Sequence, residues 1–178
     1  MKNSRKKVLK FILFISPKKA RYPIGKMCRG YFQEDLPHIS LRIILPPSNV
    51  FPEKEIFLID TGSNITTLSY PTARRLGIDL DSLSDAEVVG TGGVSLVYIY
   101  DGIGIVFVDY LGEDRTEFHI EPVEPIHIFT KEAQTAPNIL GCDVLNRFDI
   151  SLNFKKGEIN VERMKNMPPN YIEKVEPI

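Results

Sequence analysis

Apolar positions recur at every second residue over 38–45, with Ile39, Leu41, Ile43 and Leu45 on one face of a predicted strand and Ser40 and Arg42 on the other. Pro46-Pro47-Ser48-Asn49 ends it. Residues 55–60 form a nearly continuous apolar run, the pattern of a strand buried on both faces, which delivers Asp60 at its C-terminal end. Residues 65–68 resume β structure. Ser69-Tyr70-Pro71 then opens a short helix, with Pro71 near its first position, running through Leu76 to a Gly77 stop.

Farther on, residues 86–89 and 95–100 read as two strands joined by Gly90-Thr91-Gly92-Gly93, a hairpin with a glycine-rich tip. Gly102 and Gly104 mark a bulge or bend before a strand over 105–110. Residues 118–129 read as irregular β structure that Pro122 and Pro125 confine to edges. Residues 142–148 fit two helical turns with Val144, Leu145 and Phe148 inward. Ile150, Leu152 and Phe154 then alternate, Lys155-Lys156-Gly157 turns, and Ile159 and Val161 return. Strands at short spacing with only two short helices predict an all-β chain closed, or nearly closed, into a barrel.

A length of 178 residues fits one domain, and 43% hydrophobic with 25% charged residues excludes a fibrous or wholly disordered chain. The net charge of −1 hides a division. Nine basic and no acidic residues precede Met27, so 13 basic against 23 acidic residues remain and 27–178 carries −10. The expected organisation is a basic head over 1–27, a folded domain over 28–163 and a tail over 164–178 whose Pro168-Pro169 suits flexibility or assembly.

The head's apolar run, residues 8–15, is interrupted by Lys10 and falls short of the roughly 20 residues a bilayer span needs. Ser16-Pro17-Lys18-Lys19 is no small-residue cleavage site, so a plain basic tail or an extra edge strand is favoured over a signal peptide or membrane-surface contact. The acidic body argues against a nucleic-acid partner. Cys28 and Cys142 lack metal-ligand spacing and read as reduced thiols of a cytoplasmic protein. Asn64-Ile65-Thr66 matches a glycan acceptor, but beside Asp60 the match reads as accidental.

The chemistry concentrates at Asp60-Thr61-Gly62-Ser63. A carboxylate delivered by a strand to a tight glycine-containing turn is held rigidly, with backbone N–H groups and two hydroxyls near enough to orient it. Activating water while polarising an amide carbonyl requires a base and an acid together. The chain holds one Asp-Thr/Ser-Gly, and Asp101-Gly102 lacks the intervening hydroxyl residue. If the site works, a second chain must supply its twin.

Residues 57–63, the helix over 70–77, the Gly90 to Gly93 tip and Ile139-Leu140-Gly141-Cys142-Asp143-Val144-Leu145 follow the order seen in retropepsin-like, single-lobed aspartic proteases. The chain resembles this family over roughly residues 38–163, and small prokaryotic members above all. The resemblance implies an acid-protease-like β-barrel with one lobe per chain. It further implies a homodimer cleaving peptide or protein substrate without metal or cofactor. Asp60 would then be catalytic, Thr61 would bond across the dimer axis, Gly62 would lie along the peptide, and Ser63 would hydrogen-bond its own Asp60. Ile139, Leu140 and Gly141 would support the turn from behind, and Gly90, Thr91, Gly92 and Gly93 would form a flap. Ser63 departs from the alanine usual in retroviral members and matches bilobal lobes instead.

Two other classes compete. Strand-Asp-x-Gly-Ser/Thr also opens the phosphate loop of actin-like and sugar-kinase ATPases, though these need a second Asp-Gly loop and a longer chain. A dimeric peptide-binding or scaffolding module would carry the same residues without turnover. The remaining candidates read as structure. His38, His119 and His127 suit strand positions better than metal ligation. Cys142 reads as a small buried hydrophobe, Asp143 as a charge on the first turn of its helix, and Tyr98, Tyr100 and Tyr110 as sheet packing.

Overall fold

In the computed structural model, which describes residues 27–46, 54–90, 93–110 and 116–163, the alternation at 38–45 becomes β2 (Leu36–Ile44). Ile39, Leu41 and Ile43 on its inner face are fully buried. Before it runs β1 (Met27–Gln33), and after it β3 (Lys54–Ile59) leads to Asp60. β4 (Thr67–Leu68) and α1 (Tyr70–Arg75) follow the Asp60 turn, then the hairpin β5 (Ser84–Gly90) and β6 (Gly93–Tyr100). β7 (Ile103–Tyr110), β8 (Thr116–Val123), β9 (Ile126–Phe129) and β10 (Asn138–Leu140) lead to α2 (Cys142–Leu145). The hairpin β11 (Phe148–Asn153) and β12 (Glu158–Arg163) ends the described chain.

The α1 boundaries follow from local chemistry. Ser69 caps the helix by accepting from Thr72 N, Pro71 sits in the first turn, and Gly77 leaves it at φ +76. Phe57, Leu68, Ile103, Ile105, Ile126, Ile128, Leu140 and Ile159 fill the core with at most 1% exposure, each contributing about 1.5–3 kcal/mol of burial.

The architecture is mostly β-sheet with two short helices, but the expected closed barrel is not formed. The strands run β11-β12-β1-β2-β3-β10-β4-β9-β6-β5, with β7 and β8 branching from β2. One edge of β2 is divided between β1 (Gln33↔Leu36 to Gly30↔Ile39) and β7 (Arg42↔Val106 to Ile44↔Gly104), while β3 takes the other over His38 to Arg42. Because β2 forks the sheet, β5, β8 and β11 each have one partner strand among the described residues.

Other expectations need correction. Residues 55–60 are not buried on both faces: Phe57 and Ile59 are inside, whereas Ile56 is 48% exposed. The segment expected to be irregular forms the regular strands β8 and β9, and β9 is central, between β4 and β6. Pro122 is tolerated because β8 pairs only with β7. Gly104 lies inside β7, so the expected bend falls before it. The second helix spans only Cys142–Leu145, and Phe148, although buried, opens β11 instead. β1 was not anticipated. The head over 1–26, its apolar run at 8–15, the tail over 164–178, Pro47, Ser48, Asn49, Thr91 and Gly92 lie outside the described residues. Among the described residues no helix is long and apolar enough to cross a membrane.

Candidate active site

β10 threads between the two sides of the Asp60 turn. It pairs parallel with β3 (Asn138↔Phe57, Ile139↔Leu58, Leu140↔Ile59) and antiparallel with β4 (Ile139↔Thr67). Asp60 N donates to Leu140 O at 3.1 Å, which fixes the end of β3 against the strand expected to support it. Asn138, nearly buried, secures the lower end by accepting from Ser69 N at 2.8 Å and donating to Ile56 O at 2.9 Å.

Just beyond β10 the chain passes so close to the turn that only glycine fits. A Cβ on Gly141 would sit 2.4 Å from both C and O of Ile65 and 2.9 Å from Thr66 N. Gly141 N donates to the Thr66 hydroxyl at 3.0 Å, and that hydroxyl donates to Asp143 Oδ1 at 2.6 Å. Thr66 N donates to Asp143 Oδ2 at 2.9 Å. The first amides of α2 need acceptors, and the turn supplies them: Cys142 N bonds Ser63 O at 2.8 Å and Asp143 N bonds Asn64 O at 3.2 Å. Turn and helix thus satisfy each other's backbone.

The front of the turn is open. Asp60 is half-buried, Thr61 and Gly62 are exposed, and Gly62 N donates to Asp60 Oδ1 at 2.9 Å. A charge-assisted bond of this kind orients one carboxylate oxygen and leaves the other free for chemistry. Ser63 N closes the turn on Asp60 O at 3.2 Å. The Ser63 hydroxyl donates to Ile65 O at 2.8 Å, not to Asp60 as expected, so it stiffens the loop rather than the carboxylate. Cys142 Sγ lies 3.3 Å from Thr61 O.

The structure therefore gathers Asp60, Thr61, Gly62, Ser63, Ile139, Leu140 and Gly141 into one unit. Gly90 and Gly93 lie elsewhere, paired at the tip of the β5–β6 hairpin with Gly93 at φ +109, and no described hydrogen bond joins them to the turn. Val89 and Val94, the next cross-strand pair, are 83% and 63% exposed, so the tip presents apolar surface. β6 continues from the tip as a strand, which removes the helix N-terminus a phosphate-binding glycine loop needs.

Three features escaped the sequence reading. Thr66 and Asp143 form the clamp just described, a larger role for Asp143 than charging its own helix. Glu121 is fully buried, hydrogen-bonded to His119 Nε2 and to Arg147 Nη1, with Arg163 Nε at 3.6 Å. Burial pushes the Glu121 carboxyl up, but the bonds and charges of His119 and Arg147 outweigh it and hold the group below its usual value. His127, opposite Thr67, is lowered by burial, with the Asp143 charge working the other way. Among the described residues no cluster of three or more His, Cys, Asp or Glu side chains could hold a metal.

A 510 Å³ depression lined by Glu55, Ser69, Thr72, Arg75 and Asn138, among others, includes no residue of the Asp60 turn. Several of its polar groups are committed to one another, with Arg75 on Glu55 at 2.6 Å and Thr72 on the same oxygen at 3.1 Å. The candidate residues of the Asp60 turn lie outside it.

No family model matches the sequence, and neither does any curated protein. Among solved structures, the chain is similar to a retropepsin-like aspartic protease from Rickettsia conorii, at 17% identity and a TM-score of 0.49, over 78% of this chain and 92% of that one.

Proposed function

We propose that the chain is an aspartic endopeptidase that works as a homodimer, each copy contributing one Asp60. The observation that carries this reading is the turn itself: a half-buried carboxylate, oriented by Gly62 N–H, braced from behind by β10 and α2 and bare in front. Such a group is rigid enough for catalysis yet has no acid partner within its own motif.

Two carboxylates about 4 Å apart, at an effective dielectric near 20, repel by roughly 4 kcal/mol when both are charged. A facing pair therefore holds one proton between them, a coupling familiar from aspartic proteases in general. The charged Asp60 takes a proton from a water as that water attacks the scissile carbonyl carbon. The protonated Asp60 donates a hydrogen bond to the carbonyl oxygen, where negative charge develops. Protonation of the amide nitrogen then releases the amine. Thr61 and Gly62, exposed beside Asp60, would meet the partner turn and the peptide. The β5–β6 hairpin would cover the substrate, which lies extended and pairs through its backbone.

Asp60→Asn tests the reading. The variant should retain fold and assembly and lose cleavage of a mixed peptide library, whereas an undiminished rate would overturn the assignment.

A further inference from the structure

Directly paired residues turn their side chains to the same face of a sheet, so the registers define the row that Asp60 joins. Ile139 pairs with Leu58 on β3 and with Thr67 on β4, Thr67 pairs with His127 on β9, and His127 pairs with Ile99 on β6. The alternate positions Ile59, Leu140, Leu68 and Ile128 point the other way and fill the core. Asp60 follows Ile59, and its N–H continues the ladder to Leu140 O, which places Asp60 two residues beyond Leu58 on the Leu58 face. Leu58, Ile139, Thr67, His127 and Ile99 therefore form a floor beside the Asp60 turn, on the side away from the core.

This floor is apolar at Leu58, Ile139 and Ile99 and polar at Thr67 and His127. His127 is half-buried, whereas Thr67 is only 3% exposed, so His127 is the polar group that a molecule lying on the floor meets. No hydrogen bond joins either side chain to another described residue. A half-buried ring in that position has given up bonds to water, and an arriving polar group restores them. Burial holds the imidazole toward its neutral form, with the Asp143 charge working the other way. A neutral imidazole presents one donor and one acceptor. The Asp143 carboxylate, fixed by the Thr66 N–H and hydroxyl, makes the surroundings unfavourable to a second negative charge.

We propose that His127 determines specificity, selecting peptides that carry a carboxamide side chain, Asn or Gln, near the scissile bond. The assignment rests on the endopeptidase reading. A carboxamide both donates and accepts, which matches the neutral ring, and it brings no charge to oppose Asp143. Three strand spacings separate Leu58 from His127, about 14 Å, which an extended peptide crosses in about four residues. The recognised side chain therefore lies within about four residues of the bond that is cut. A site that hydrogen-bonds a substrate group rejects analogues lacking that group, so leucine, of similar size, is disfavoured.

Peptides that carry Gln, Glu or Leu in turn at each position within about four residues of a cleaved bond test it. At one of those positions the full chain should cleave the Gln peptide with a kcat/KM at least about tenfold above the Leu and Glu peptides. His127→Leu and His127→Phe remove the hydrogen bonds with apolar side chains of two shapes, and each variant that melting curves show to be folded should lose the preference for Gln over Leu. Equal rates for the three peptides at every position, a preference for Glu, or a Gln preference that survives in a folded variant overturns the inference and leaves the endopeptidase reading standing. Binding of the same peptides to Asp60→Asn is measured separately by calorimetry. Selective, His127-dependent binding of the Gln peptide without cleavage by wild type retains this contact and sinks the endopeptidase reading, whereas the absence of both binding and cleavage sinks both.

Discussion

Replacing Gly141 by alanine should damage the protein more than any other single added methyl group near the turn. Gly141 has φ −95, which any residue adopts, so the requirement is for space and not for backbone freedom. The new Cβ would fall 2.4 Å from the Ile65 carbonyl group, about 1 Å inside ordinary contact, and the obstacle is backbone that cannot rotate away. Nor can the two segments part cheaply. Asp60 N–Leu140 O, Cys142 N–Ser63 O and Gly141 N–Thr66 Oγ1 pin them together on both sides of the clash. Overpacking costs about 1–3 kcal/mol. Losing the buried Gly141 bond adds about 1–3 kcal/mol. A total of about 2–6 kcal/mol is a large share of the 5–15 kcal/mol typical of a folded domain. Urea denaturation measures it, with Gly90→Ala as control because an added Cβ there meets nothing within 4 Å. The control should remain within about 1 kcal/mol of wild type. A Gly141→Ala protein equally close to wild type would refute the bracing argument.

Two further substitutions probe the framework. Thr66→Val keeps the shape but leaves Gly141 N and Asp143 Oδ1 without the buried hydroxyl between them, so unfolding free energy should drop by about 2–4 kcal/mol; a loss below about 0.5 kcal/mol would mean the clamp is idle. Glu121 has a folded carboxyl held below its usual value, so its stabilisation is complete above the ordinary carboxylate range near pH 4.3 and disappears as pH falls through the lowered value. Glu121→Gln should therefore cost about 3 kcal/mol at neutral pH, and the gap from wild type should narrow below about pH 4. Equal gaps at pH 7 and pH 3 in denaturant titrations would contradict the ion cluster.

The parts of the fold legible in the sequence are those whose causes are local. Ser69, Pro71 and Gly77 set the limits of α1 within nine positions, and the Asp60 turn announces itself in four. What escaped depends on distant partners. Thr66 and Asp143 are 77 residues apart, and Glu121 and Arg147 are 26 apart, so neither pair has a periodic or spacing signature. β1 escaped for a different reason: Gly30 at its centre reads as a breaker. The structure explains it as a close approach, since a Cβ there would lie 2.5 Å from His38 O and 3.0 Å from Ile159 Cβ. The barrel expectation failed because strand counting does not reveal that one edge of β2 serves two partners.

The bracing contacts also determine when the site can exist. Asp60 is fixed by Leu140, Thr66 by Asp143, and Ser69 by Asn138, each bond joining segments on either side of the intervening chain from β5 to β9. None forms until that chain has folded and returned β10 to its slot, so the geometry of the Asp60 turn is a property of the completed fold and not of the motif. The front of the turn has the opposite character: Thr61 and Gly62 are exposed. An incomplete monomer would therefore have neither a fixed carboxylate nor an ordered surface to offer its twin. Under the two-aspartate reading, assembly selects for folded chains, and activity depends first on the global stability set by Gly141, Thr66 and Glu121 and then on concentration through the dimer.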